Sequence, residues 1–97
     1  EGMEYLAGLR LQHLLVDMPS VDRLFDEGKL RNHHTYWALA AGSHSIGQQT
    51  PPARTITEMV YVADHIADGN YLLNLQIAPF MADAAPSRPV LYALKPA

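Results

Sequence analysis

His13-Leu14-Leu15-Val16-Asp17, followed by Met18-Pro19-Ser20, is a short, nearly continuous apolar run that ends in a carboxylate and is then broken by a proline. A run of this kind reads as a buried strand. Upstream of it, Met3, Leu6 and Leu9 recur at a spacing of three with Ala7 beside them, which predicts a short helix over 2–9; Gly8 weakens its far end. Helix, tight turn and buried strand in succession are the pattern of an α/β fold.

Downstream, residues 20–29 are polar and predict a loop with a turn at Glu27-Gly28. Residues 30–39 predict a second helix, with Leu30, His34 and Trp37 at i, i+4 and i+7 and His33 beside that stripe. Residues 40–54 hold two Gly, two Pro, two Ser and two Gln, the composition of an exposed loop. Over 55–62, β-branched and aromatic residues dominate and predict a strand. Alternation would place Ile56, Glu58, Val60 and Val62 on one face and Thr57, Met59 and Tyr61 on the other. After a turn at Asp68-Gly69-Asn70 comes the clearest strand, 71–78, with Leu73, Leu75 and Ile77 on one face and Leu72, Asn74 and Gln76 on the other. Pro79 ends it, 82–89 reads as a loop with two prolines, and 90–94 as a final strand. No internal repeat and no low-complexity segment is present, and a length of 97 residues fits a single domain over 1–97.

The bulk numbers exclude several classes. Apolar residues make up 48% of the chain, enough for a packed core and too many for a disordered segment. The net charge is -3 and the seven Lys and Arg are scattered, which argues against nucleic-acid binding. The absence of cysteine excludes disulfides and thiolate metal sites. No apolar run approaches the roughly 18 residues of a membrane-spanning helix, and residues 1–4 do not read as a signal peptide. A cytoplasmic protein is the expectation.

Three features carry chemistry. The first is Asp17-Met18-Pro19-Ser20-Val21-Asp22, in which one carboxylate follows a strand and a second follows the turn. Sites in α/β proteins gather at the carboxyl ends of strands, which makes Asp17, Ser20 and Asp22 a candidate site loop. The competing reading is a turn whose Asp and Ser cap nearby backbone donors. The second feature is His33-His34, close to Tyr36 and Trp37. Imidazole is the commonest metal ligand, but neighbours on a helix do not point the same way, so one His at most is a ligand. The competing reading packs one beside Trp37 and leaves the other in solvent. The third is Glu58, an acid on a strand face that otherwise looks buried. A buried carboxylate is costly unless it is paired or metal-bound; the competing reading pairs it with Arg54 or leaves it at an exposed edge. His13, His44 and His65 lack an acidic neighbour at a motif spacing and read as structural or surface residues. No phosphate loop or nucleophile elbow is present.

Taken in order, His13-Leu14-Leu15-Val16-Asp17 with Pro19-Ser20-Val21-Asp22, Gly28-Lys29-Leu30 with His33-His34 and Trp37, Thr55-Ile56-Thr57-Glu58, and 71–80 with Ala85-Pro86-Ser87-Arg88-Pro89-Val90 span nearly the whole chain. This series resembles the C-terminal part of the cyclase family of metal-dependent hydrolases, which includes the bacterial kynurenine formamidases. The resemblance implies an α/β fold of the swivelling β/β/α kind, a mixed sheet with one or two helices in truncated form. It implies a divalent metal, zinc or manganese, and hydrolysis of an amide or lactone-like bond. It places His33 and Glu58 among the metal ligands.

The family's principal motif, a His-Gly-Thr-His-x-Asp-x-Pro-x-His run that supplies most of the ligands, has no match in these residues, and 40–54 lengthens the interval between His33 and Glu58. A catalytic zinc site usually takes three protein ligands and a water. One His and one Glu therefore imply weak metal binding and a chain inactive by itself, an arylformamidase-like fragment completed by a missing N-terminal half. The alternative is a non-enzymatic module that keeps the half-fold to bind a small molecule or a protein. Either way, apolar surface left without its cover predicts self-association, most simply as a homodimer.

Overall fold

The computed structural model describes residues 1–39 and 54–95. The chain divides into two compact units, Glu1–Val60 and Tyr61–Ala97. Together they form a mixed α/β protein with two helices and two two-stranded sheets among the described residues.

In the first unit, α1 spans Gly2–Gly8 and β1 spans His13–Leu15. Helix α2 spans Arg31–Trp37 and β2 spans Thr55–Thr57. Strands β1 and β2 run parallel, with Leu14 opposite Ile56, and the ladder extends through Val16 N–H, which donates to Thr57 O at 2.9 Å. The predicted helices and the first strand are thus present, each slightly shorter than its sequence span. Met3, Leu14, Val21 and Tyr36 form the core, with Leu6, Leu11, Val16, Trp37 and Ile56 packed around them. Tyr36 is 0% exposed and is its centre. Its hydroxyl donates to Leu11 O at 3.2 Å, and the Arg54 guanidinium lies 4.9 Å from its ring centroid. Burial pushes the Tyr36 phenol above its ordinary value, with Arg54 opposing.

The strand expected over 55–62 stops at Thr57. Met59 takes a left-handed conformation, φ 60°, which ends the pleat. Its N–H donates to Met18 O at 2.9 Å, and Val60 N–H donates to Val16 O at 3.1 Å. The proposed face of Ile56, Glu58, Val60 and Val62 therefore does not exist. Helix α2 is likewise bounded by left-handed residues, Leu30 (φ 48°) and Ala38 (φ 54°). At its end Ala38 N–H donates to Thr35 O and Leu39 N–H to His34 O, which satisfies those two carbonyls of the last turn. The loop expected over 40–54 lies, apart from Arg54, outside the described residues, as does His44.

The second unit is built on β3, Tyr71–Ile77, and β4, Ser87–Ala93, paired antiparallel with Leu73 opposite Leu91 and Leu75 opposite Pro89. Strand β4 begins three residues before the expected 90, taking in Pro89; a proline is tolerated in a two-stranded sheet because an edge position needs no further N–H donor. Tyr71, Leu73 and Leu75 are half-buried while Leu72, Asn74, Gln76 and also Ile77 are exposed, so the alternation holds over most of β3.

Candidate functional site

The site lies in the first unit, where three segments distant in sequence meet: the turn after β1, the start of α2 and the residue following β2. Glu58 sits between the end of β2 at Thr57 and the left-handed turn at Met59. There Glu58 Oε1 accepts Val21 N–H at 2.9 Å. Asp22 reaches the beginning of α2, where Oδ1 accepts Asn32 N–H at 2.7 Å and Oδ2 accepts His33 N–H at 3.2 Å. Helix α2 has no side-chain cap from its own N-cap residue Leu30, so this carboxylate from ten residues upstream satisfies donors that the helix leaves open.

The same Oδ2 lies 2.7 Å from His33 Nδ1. On the other side of the ring, Nε2 lies 3.3 Å from Glu58 Oε1. His33 is thus held between two carboxylates, and Trp37 tilts against the ring with centroids 5.4 Å apart. Exposure falls from 27% for the Glu58 side chain to 15% for His33 and 5% for Asp22, so the constellation opens to solvent on the Glu58 side. Burial works against the Asp22 charge, but the His33 ring and the N–H groups of Asn32 and His33 outweigh it and hold the carboxyl below its ordinary value.

Among the residues singled out in the sequence, Asp22, His33 and Glu58 come together. Ser20 supports them at one remove, its Oγ accepting Asp22 N–H at 3.1 Å, the turn-capping role of the competing reading. Asp17 is exposed and makes no hydrogen bond or ion pair among the described residues. His34 is not the solvated partner of the pair; it is buried, 9% exposed, on the inner side of α2. Arg54 is not the counter-ion of Glu58. Its guanidinium donates to Tyr36 O at 2.8 Å and to Ala7 O at 3.4 Å, tying α1 to α2. Asn32 carried no signal in the sequence, yet its side-chain Nδ2 donates to Val21 O at 2.6 Å and locks the turn to the helix.

Among the described residues, no group of three or more His, Asp or Glu is arranged to hold a metal ion. The pair His33 Nε2 and Glu58 Oε1 nevertheless fits two positions of one. Bonds of zinc to imidazole and carboxylate place tetrahedral ligand atoms roughly 3.4 Å apart, and the observed separation is 3.3 Å. That distance is long for a charge-assisted hydrogen bond. The Nδ1 contact to Asp22 supplies the outer carboxylate that metal-bound histidines usually have.

No family model matches this chain, and no significant match was found among curated proteins or among solved structures. Among the described residues, no helix is long and apolar enough to cross a membrane.

Proposed function

We propose that the chain is the C-terminal part of a metal-dependent hydrolase of the cyclase type, with the swivelling β/β/α arrangement of that family, and that His33 and Glu58 are two ligands of its metal. The observation that carries this reading is the approach of Nε2 and Oε1 to 3.3 Å from residues far apart in sequence, with the far ring nitrogen already secured by Asp22. A sequence resemblance pointed to these same two residues, and their meeting did not follow from spacing alone.

When bound, zinc or manganese supplies Lewis acidity toward an amide or lactone-like carbonyl and a more acidic water. The chain's own residues do the rest. His33 presents Nε2 in a fixed direction, Glu58 presents Oε1 while Val21 N–H holds it in place, and Trp37 covers one flank of the imidazole. Two protein ligands bind a metal weakly, so the remaining ligands come from the His-rich run, carried on sequence outside these 97 residues or on a partner chain.

The test is hydrolysis of an aryl formamide with added zinc or manganese. The 97-residue chain alone gives no turnover. Joined to, or mixed with, the segment that its upstream coding frame specifies, it turns over, and His33→Ala and Glu58→Gln each abolish the reaction. Turnover in the completed protein that survives both substitutions would overturn the proposal. So would turnover by the chain alone that is lost on His33→Ala, because the site would then be complete here.

A further inference from the structure

The contacts around His33 close into a ring. Glu58 Oε1 accepts Val21 N–H, Val21 O accepts Asn32 Nδ2, Asn32 N–H donates to Asp22 Oδ1, Asp22 Oδ2 meets His33 Nδ1, and His33 Nε2 faces Glu58 Oε1 again. Asp22 is the member with the most partners. Each of its oxygens accepts a backbone N–H, from Asn32 at 2.7 Å and from His33 at 3.2 Å, so neither is free to rotate away. A carboxylate faces the ring on each side and both are acceptors, but Asp22 Oδ2 is at hydrogen-bond distance, 2.7 Å, whereas Glu58 Oε1 stands off at 3.3 Å, so the single hydrogen of a neutral ring goes to Nδ1. A neutral imidazole free in water favours the other arrangement, with hydrogen on Nε2.

We propose that Asp22 is the positioning residue of this site: seated on the first turn of α2, its carboxylate takes the hydrogen of the neutral His33 ring at Nδ1 and leaves Nε2, the nitrogen on the Glu58 side, as the ligand atom. Asp22 touches neither metal nor substrate; it acts through His33. The same contact that fixes the tautomer also ties it to the formation of α2, so ring orientation and helix formation are one event. The effect on metal affinity rests on the function proposed above, whereas the tautomer does not.

An asparagine at this position cannot serve both purposes. With its amide NH2 in place of Oδ2 it faces His33 N–H and Nδ1 with a donor, which sets two donors against each other at the backbone and moves the ring hydrogen to Nε2. With the amide reversed, the NH2 meets Asn32 N–H instead.

The experiment is 15N-edited NMR of the His33 ring in the full chain at a pH where the ring is neutral, followed by Mn2+ titration. The wild type shows hydrogen on Nδ1, Asp22→Asn and Asp22→Ala shift the population to Nε2–H, and Mn2+ affinity falls roughly 10–100-fold with it. A wild-type ring with hydrogen on Nε2 overturns the proposal without any variant being needed. A ring that keeps Nδ1–H in folded Asp22→Ala overturns it too. If the tautomer follows Asp22 but the wild type binds no Mn2+ at His33, the positioning role stands and the hydrolase reading falls.

Discussion

Removing the Asp22 carboxylate should destabilise the chain far more than a residue in a turn would ordinarily suggest. Asp22→Ala deletes acceptors for Asn32 N–H, His33 N–H and the His33 ring, all around a side chain that is 5% exposed. Loss of a helix-capping side chain costs about 1 kcal/mol, and loss of a hydrogen bond to a charged group costs roughly 1.5–3 kcal/mol. The contacts share one carboxylate and are not additive, so about 2–4 kcal/mol is expected. A domain of this length is stable by about 5–15 kcal/mol in total, so the variant should lose a large share of its stability. Urea unfolding followed by far-ultraviolet circular dichroism measures it, provided the m-value is unchanged. A loss below about 0.5 kcal/mol, the range of ordinary surface substitutions, would mean that Asp22 is solvated in the folded protein and that the ring of contacts around His33 is not formed.

Acid should act through the same residue. Because the folded Asp22 carboxyl lies below its ordinary 3.8, the unfolded chain binds more protons between the two values. Its contribution to stability is complete above 3.8 and is lost as pH falls through the folded value; Asp22→Asn should flatten that acid limb in pH-dependent urea melts, and an unaltered limb would assign it to other carboxylates. Ala38→Gly should stabilise by about 0.5–1 kcal/mol, because Ala38 ends α2 with φ 54° where glycine meets no penalty; a loss in urea unfolding would contradict that conformation. The chain should self-associate through β3 and β4, where Leu72, Ile77, Leu91 and Tyr92 are exposed; sedimentation equilibrium at micromolar concentration should give a mass that rises toward a dimer, and a constant monomer mass would count against this.

The elements were legible where local pattern and tertiary packing agree. The run at 13–17, the spacing of Met3 and Leu6, and the alternation of Leu73 and Leu75 all predicted structure that formed. The extension of the third strand through 62 failed because a left-handed Met59 is set by contacts with Met18 and Val16, which no local propensity encodes. Tyr36 was missed as the core centre because the predicted stripe ran through Leu30, His34 and Trp37, beside it rather than through it. At the site, Glu58 was suspicious on the wrong grounds. It stood out as an acid on a buried strand face, yet it sits just past the end of β2, and what makes it informative is its distance to His33. The roles of Asp22 and Asn32 depend on where the turn after β1 meets the start of α2, a geometry that residue types alone do not specify.

The central claim, that His33 and Glu58 are two ligands of one metal, is tested most directly by titrating Mn2+ into the isotopically labelled chain and following paramagnetic broadening. The account predicts that the His33 ring and the Glu58 side chain broaden first, that the binding is weak, and that His33→Ala and Glu58→Gln each remove it. Broadening that begins elsewhere, for example at Asp64 or Asp68, with the His33 signals left sharp, would contradict it.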